Sequence, residues 1–158
     1  MVLKYIFMKR ILILLACSFF VISSCETDEI CDQTIQPTPS LVVTFYDNDN
    51  PDTRKEVTDF SAKLIDKDDV ISLKTTDSIN IPLDIFNLNT SYQFNQGELI
   101  DNMEFTYTTK QIFMSKSCGY RTQFSDLSAT VTNNWIKKIS VEETIINDQK
   151  TEHVKIYH

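Results

Sequence analysis

Met103-Glu104-Phe105-Thr106-Tyr107-Thr108 is the stretch that decides the fold. Apolar or aromatic side chains at every second position, with polar ones between, belong on opposite faces of an extended chain, because successive Cβ atoms of a strand point to opposite sides. The alternation continues towards Ile112 and Met114 and recurs on both sides of this segment. Thr58, Phe60, Ala62 and Leu64 alternate with Asp59, Ser61 and Lys63. Ile79, Ile81, Leu83 and Ile85 alternate with Asn80, Pro82 and Asp84, and Tyr120, Thr122 and Phe124 alternate with Arg121 and Gln123. Leu41 to Tyr46 is a mostly apolar run suited to a central strand. Val70 to Thr75, Tyr92 with Phe94, Trp135 with Ile139 and Val141, and Val154 with Ile156 supply further short strands.

Turn signals separate these segments. Asp47-Asn48-Asp49-Asn50-Pro51-Asp52, Lys67-Asp68-Asp69, Thr76-Asp77-Ser78, Asn87 to Thr90 and Asn95-Gln96-Gly97-Glu98 all reverse the chain, and with two glycines in total the work falls mainly to Asn and Asp. Pro82 has no N–H to give a ladder, which places its segment at a sheet edge. Asp126-Leu127-Ser128 reads as one helical turn. Seventeen Thr, ten Phe and six Tyr against three Ala also favour a pleated surface over a helix. Eight to ten short strands without helical patterns predict an all-β antiparallel β-sandwich, immunoglobulin-like in size, over residues 41–158.

The N-terminus carries an address. Met1 to Arg10 holds three bases and no acid, and Ile11 to Ile22 is an apolar run too short to span a bilayer before Ser23, Ser24, Glu26 and Asp28 interrupt it. Residues 1–24 therefore read as a signal peptide. Val21-Ile22-Ser23-Ser24-Cys25 resembles a bacterial lipobox, in which small residues expose the bond before a cysteine that has been alkylated by diacylglycerol. Cys25 is the expected lipidation site and the N-terminal anchor to the membrane, since two or three acyl chains hold firmly where one does not. Residues 25–40 form an acidic tether. Its Glu26-Thr27-Asp28-Glu29 is either a surface-export signal or simply a solvated spacer.

Fifteen bases face 22 acids, a net charge of −7. Without Lys4, Lys9 and Arg10 of the leader, the exported chain has twelve bases against 22 acids, a net −10. Such a surface repels phosphate backbones, which argues against a nucleic-acid partner.

With Cys17 in the leader and Cys25 lipidated, Cys31 and Cys118 are the remaining thiols. In an oxidising compartment a Cys31–Cys118 disulfide is the economical reading, with free buried thiols or redox or metal chemistry as alternatives.

The lipobox, the early Cys31, then Pro37-Thr38-Pro39-Ser40-Leu41-Val42-Val43-Thr44-Phe45-Tyr46-Asp47 and the late Cys118-Gly119-Tyr120-Arg121 resemble a family of small lipoproteins of unknown function from flavobacteria-type Bacteroidota. That resemblance implies an acylated envelope protein with a β-rich domain and the Cys31 and Cys118 pair as a constant feature. It implies no activity.

Chemical constellations are sparse. The two histidines, His153 and His158, fall in the last six residues, where a fraying tail is expected and a catalytic triad or zinc site is not. Asp47, Asp49 and Asp52 offer oxygen ligands at near-alternate positions, as calcium prefers, but Pro51 and Thr58 depart from the helix-loop-helix pattern and a plain turn is the simpler reading. Trp135, the sole Trp, shares a parity with Ile139 and Val141 and is expected in the core and not on a glycan platform. No catalytic residue and no cofactor is expected. The sequence points to a non-enzymatic lipoprotein of the outer membrane, on its periplasmic or cell-surface face, serving as a structural or protein-interaction module with an envelope protein as partner. Binding of a small ligand, glycan or calcium, is the alternative.

Overall fold

The alternating segments pair as nine strands: β1 (Leu41–Tyr46), β2 (Val57–Leu64), β3 (Val70–Thr76), β4 (Ser78–Ile81), β5 (Asn89–Gln96), β6 (Leu99–Ser115), β7 (Gly119–Val131), β8 (Lys138–Val141) and β9 (Val154–Tyr157). The computed structural model describes Cys31 and residues 37–158, so the leader, Cys25 and most of the tether lie outside the described residues. One sheet has the order β4-β1-β9-β8 and the other β3-β2-β5-β6-β7, with no helix among the described residues. The all-β sandwich read from the alternation is the architecture found.

The core lies between the sheets. Leu41, Val43 and Phe45 of β1, Ile81 of β4 and Val154 and Ile156 of β9 meet Phe60 and Ala62 of β2, Phe94 of β5, Met103 and Phe105 of β6 and Phe124 of β7. Phe45 and Phe60 cross edge-to-face at 5.1 Å, and Phe60 meets Phe94 in the same way at 5.3 Å. Trp135 is buried as expected, in the segment before β8 and not on the strand itself, with its indole N–H donating to the Phe94 carbonyl at 3.2 Å.

Four local readings need correction. The C-terminal residues do not fray: β9 is an interior strand that runs parallel to β1, with Val43 opposite Val154 and Tyr46 opposite Tyr157. Asp126 does not start a helical turn. It has φ +55° inside β7, where the pairing with β6 shifts register between Thr106 and Thr108, a bulge that moves Phe124 and Leu127 onto the same buried face. Asp59, at φ +49°, does likewise in β2, so that Val57 and not Thr58 is buried beside Phe60. Finally, β4 stops at Ile81, before Pro82, and Leu83 and Ile85 belong to a loop. Pro82 follows an edge strand, as its missing N–H requires.

Strand β6 is 17 residues long and pairs with β5 only over Leu99–Thr106. Beyond that point β6 and β7 continue as a two-stranded arm that turns at Ser115–Gly119, where Gly119 takes φ +70°. The base of the arm is flanked on the β7 side, where Phe124 and Ile146 exchange main-chain bonds at 3.4 and 2.9 Å and the Thr122 N–H donates to Thr38 Oγ1 at 3.0 Å. Cys118 in this turn is joined to Cys31 by a disulfide, the pairing expected from the cysteine count.

Candidate functional site

The loop that Pro82 opens forms one wall of a cleft. Its floor is Ala62 and Leu64 of β2, Ile71 of β3 and Tyr92 of β5, its wall is Pro82, Leu83, Ile85 and Phe86, and its volume is about 630 Å³. Asp66, Lys67 and Asp69 of the β2–β3 turn and Asn87 and Asn89 of the opposite loop make a polar rim. An apolar floor with a few polar groups at the edge, within the size range of ligand pockets, is the usual form of a binding site.

Buried polar bonds hold the loop. The Asp84 N–H donates to Thr90 Oγ1 at 2.9 Å, the Thr90 hydroxyl bonds the Tyr107 hydroxyl, and the Tyr107 hydroxyl donates to the Asp84 carbonyl at 2.8 Å. This closes a ring of three groups. The Tyr92 hydroxyl donates to the Pro82 carbonyl at 2.8 Å, and burial raises its pKa to about 12, so it remains a donor at any physiological pH. Beyond the ring, the Asp84 carboxylate accepts the Phe86 N–H at 2.8 Å, the Asn87 N–H at 3.2 Å and the Asn87 side-chain amide at 2.9 Å. The Asn87 amide and the Phe86 N–H hold its pKa below the ordinary value.

The outcome is a fixed loop that presents apolar side chains outward. Phe86 is 89% exposed, and Ile85 and Leu88 beside it are exposed as well, as are Ile65 and Val70 on the facing hairpin. Leaving a Phe in water forfeits about 1.5–3 kcal/mol relative to burying it. Large apolar side chains exposed together on one patch are a common feature of interaction surfaces.

Reading the sequence missed this site. Leu83 and Ile85 continue the alternation of β4 and look like strand, and the signal against it was Pro82 followed by Asp84-Ile85-Phe86-Asn87, an Asx-type turn.

The other candidate residues have separate fates. Asp47 accepts the Asp49 N–H at 3.3 Å and the Lys55 ammonium at 3.2 Å, and these bonds lower its pKa. Asp49 and Asp52 are exposed, and no three His, Cys, Asp or Glu side chains converge on one point among the described residues. The segment closes as a turn through Thr53 N–H to Asn50 carbonyl and Asp47 N–H to Thr53 carbonyl, both 2.9 Å. His153 is buried and accepts the Val42 N–H on Nδ1 at 2.9 Å, while His158 stands edge-on to Phe45 and Trp135. Neither lines the cleft.

A second polar group lies on the outer face of the four-stranded sheet. Glu152 accepts the hydroxyls of Thr44 and Tyr46, both at 2.9 Å, and pairs with Lys155 at 3.2 Å and Arg54 at 3.6 Å. Burial pushes its pKa up, but the two hydroxyls and Lys155 outweigh that and hold it below the usual value. The ionised carboxylate ties β1 to β9, which is a structural task.

Residues 57–158 match DUF6452, a family of unknown function. The chain belongs to that family. The match takes in the cleft and all strands but β1, so the Phe86 loop lies within the DUF6452 domain. No curated protein and no solved structure gives a significant match.

Proposed function

We propose that this DUF6452 chain is a non-enzymatic lipoprotein of the flavobacteria-type Bacteroidota, anchored in the outer membrane through acylated Cys25, whose sandwich is a protein-interaction module. The lipobox at Val21–Cys25 and the charged leader support the anchor, and the acidic surface disfavours nucleic acid. The observation that carries the interaction role is the cleft with exposed Phe86 on a loop fixed from behind. Among the described lining residues there is no histidine or cysteine, and the most firmly bonded acid, Asp84, gives its oxygens to its own loop. This lining suits binding better than turnover.

The test is a photoreactive phenylalanine analogue placed at position 86 of the full chain in intact cells, with a control at exposed Asp52. Position 86 is expected to trap one discrete envelope protein that position 52 does not. Identical patterns from the two positions would overturn the reading.

The cleft volume favours a second reading, a small ligand such as a glycan. Native mass spectrometry of the protein released from envelopes would then show a retained small-molecule mass that Phe86→Asp abolishes, with no protein trapped at position 86.

A further inference from the structure

The arm formed by β6 and β7 differs in character from the body it leaves. From Tyr107 to Ser125 the sequence holds Lys110, Lys116 and Arg121 and no acid, leaving nine bases against 22 acids in the rest of the exported chain. Near its tip, Phe113 and Tyr120 face each other across the strands with ring centroids 5.3 Å apart, 57% and 68% exposed. An acidic protein thus carries one basic extension with two aromatic side chains near its end.

Covalent connectivity states where that end must be. Cys118 at the tip is bonded to Cys31, which is six residues from Cys25. Six residues reach at most about 22 Å when fully extended, and the two Cα atoms of a disulfide stand about 6 Å apart. If Cys25 is acylated, as proposed above and on which this inference rests, the tip of the arm is held at the membrane-proximal end of the protein. Tyr and Phe suit the boundary between headgroups and acyl chains, and Lys and Arg suit lipid phosphates.

We propose that the tip of the β6–β7 arm is a second membrane contact. Phe113 and Tyr120 enter the headgroup boundary of the bilayer in which Cys25 is anchored, and exposed Lys110, on the other face of the hairpin, meets lipid phosphate, whereas Arg121 is half-buried and donates to the Asn147 carbonyl at 3.4 Å. The tip docks end-on, so both faces take part. Anchor and arm together fix the orientation of the sandwich above the surface, where a flexible tether alone would let it tumble.

The test uses the full acylated protein, reconstituted into vesicles of phosphatidylethanolamine and phosphatidylglycerol, with Phe113→Trp and, separately, Tyr120→Trp. Both positions are exposed, and either variant suffices for the measurement. The added tryptophan is expected to emit at shorter wavelength on reconstitution and to be quenched by lipids brominated in their acyl chains, several-fold more than Trp135 in the unmodified protein. Lys110→Glu in the Phe113→Trp background is expected to reduce that quenching. An added tryptophan reached by aqueous iodide and not by brominated lipid assigns the tip to solvent or to a protein partner and overturns the proposal. Intact mass of the same sample separates the two failures: with the acyl mass present, only the arm contact is lost, and with it absent, the anchor reading and this inference fall together.

Discussion

At His153 the ring nitrogen Nδ1 accepts a main-chain N–H, and the residue is 1% exposed, so the imidazole is neutral with its proton on Nε2. Burial lowers its pKa below the ordinary 6.5, against the opposing pull of Asp148 and Glu143. His158 is lowered by burial as well. The sign follows from proton counting: below pH 6.5 the unfolded chain binds protons that the folded chain refuses until lower pH, so folding stability declines across that window. Glu152 and Asp101 also have lowered values, but they act only from their ordinary 4.5 and 3.8 downward. The urea midpoint should therefore fall between about pH 7 and about pH 5, where histidine is the group that titrates. His153→Asn, whose amide oxygen can take the Val42 N–H without titrating, should flatten that decline. An unchanged slope in the variant would show that His153 contributes none of it.

At the scale of the element, the two left-handed aspartates decide which rows of side chains are buried. Asp59 makes no side-chain bond among those described, and its carbonyl accepts the Gly97 N–H at 3.1 Å. A left-handed backbone at a residue with a Cβ costs roughly 1–2 kcal/mol, more for a β-branched residue. Asp59→Gly should hold or raise the urea midpoint, and Asp59→Val should lower stability by about 1–2 kcal/mol; equal effects of the two would show that φ at this position is not strained. The same residues set the limit of what could be read in advance. In β6 the odd positions run inward without interruption from Asp101 to Tyr107, and strict alternation identified Met103, Phe105 and Tyr107 as buried. In β2 and β7 one residue flips the parity. Asp59 and Asp126 look no different in sequence from the aspartates of ordinary turns. The Phe86 loop escaped for the converse reason, since Leu83 and Ile85 keep a strand's rhythm after the backbone has left the ladder.

At the scale of the molecule, the chain passes between the two sheets at four places among the described strands, and Asp101 holds the last of these crossings, from β7 to β8. It is fully buried on β6 and accepts four bonds: the Thr132 hydroxyl and the Asn134 N–H, both at 2.7 Å, the Trp135 N–H at 2.8 Å and the Ile136 N–H at 2.9 Å. Burial by itself raises the pKa, and the N–H groups of Ile136 and Asn134, with Thr132 and Trp135, outweigh it and bring it below the ordinary value. Asp101→Asn replaces one accepting oxygen by an NH₂ that faces N–H donors, so it should cost about 3 kcal/mol. A urea midpoint equal to that of the unmodified protein would mean that the crossover is held by Trp135 packing alone.

The pairing of β1 with β9 joins positions 111 residues apart, Val42 and His153 among them, in the middle of one sheet. During synthesis β1 is among the first strands of the body to leave the ribosome and has no neighbour on that side until β9 has emerged. The chain must be made through Tyr157 before the four-stranded layer can be completed. The five-stranded layer, whose last member is β7, has no such delay, so the two halves of the sandwich become completable at different times, and the layer that holds the earliest strand is the later one.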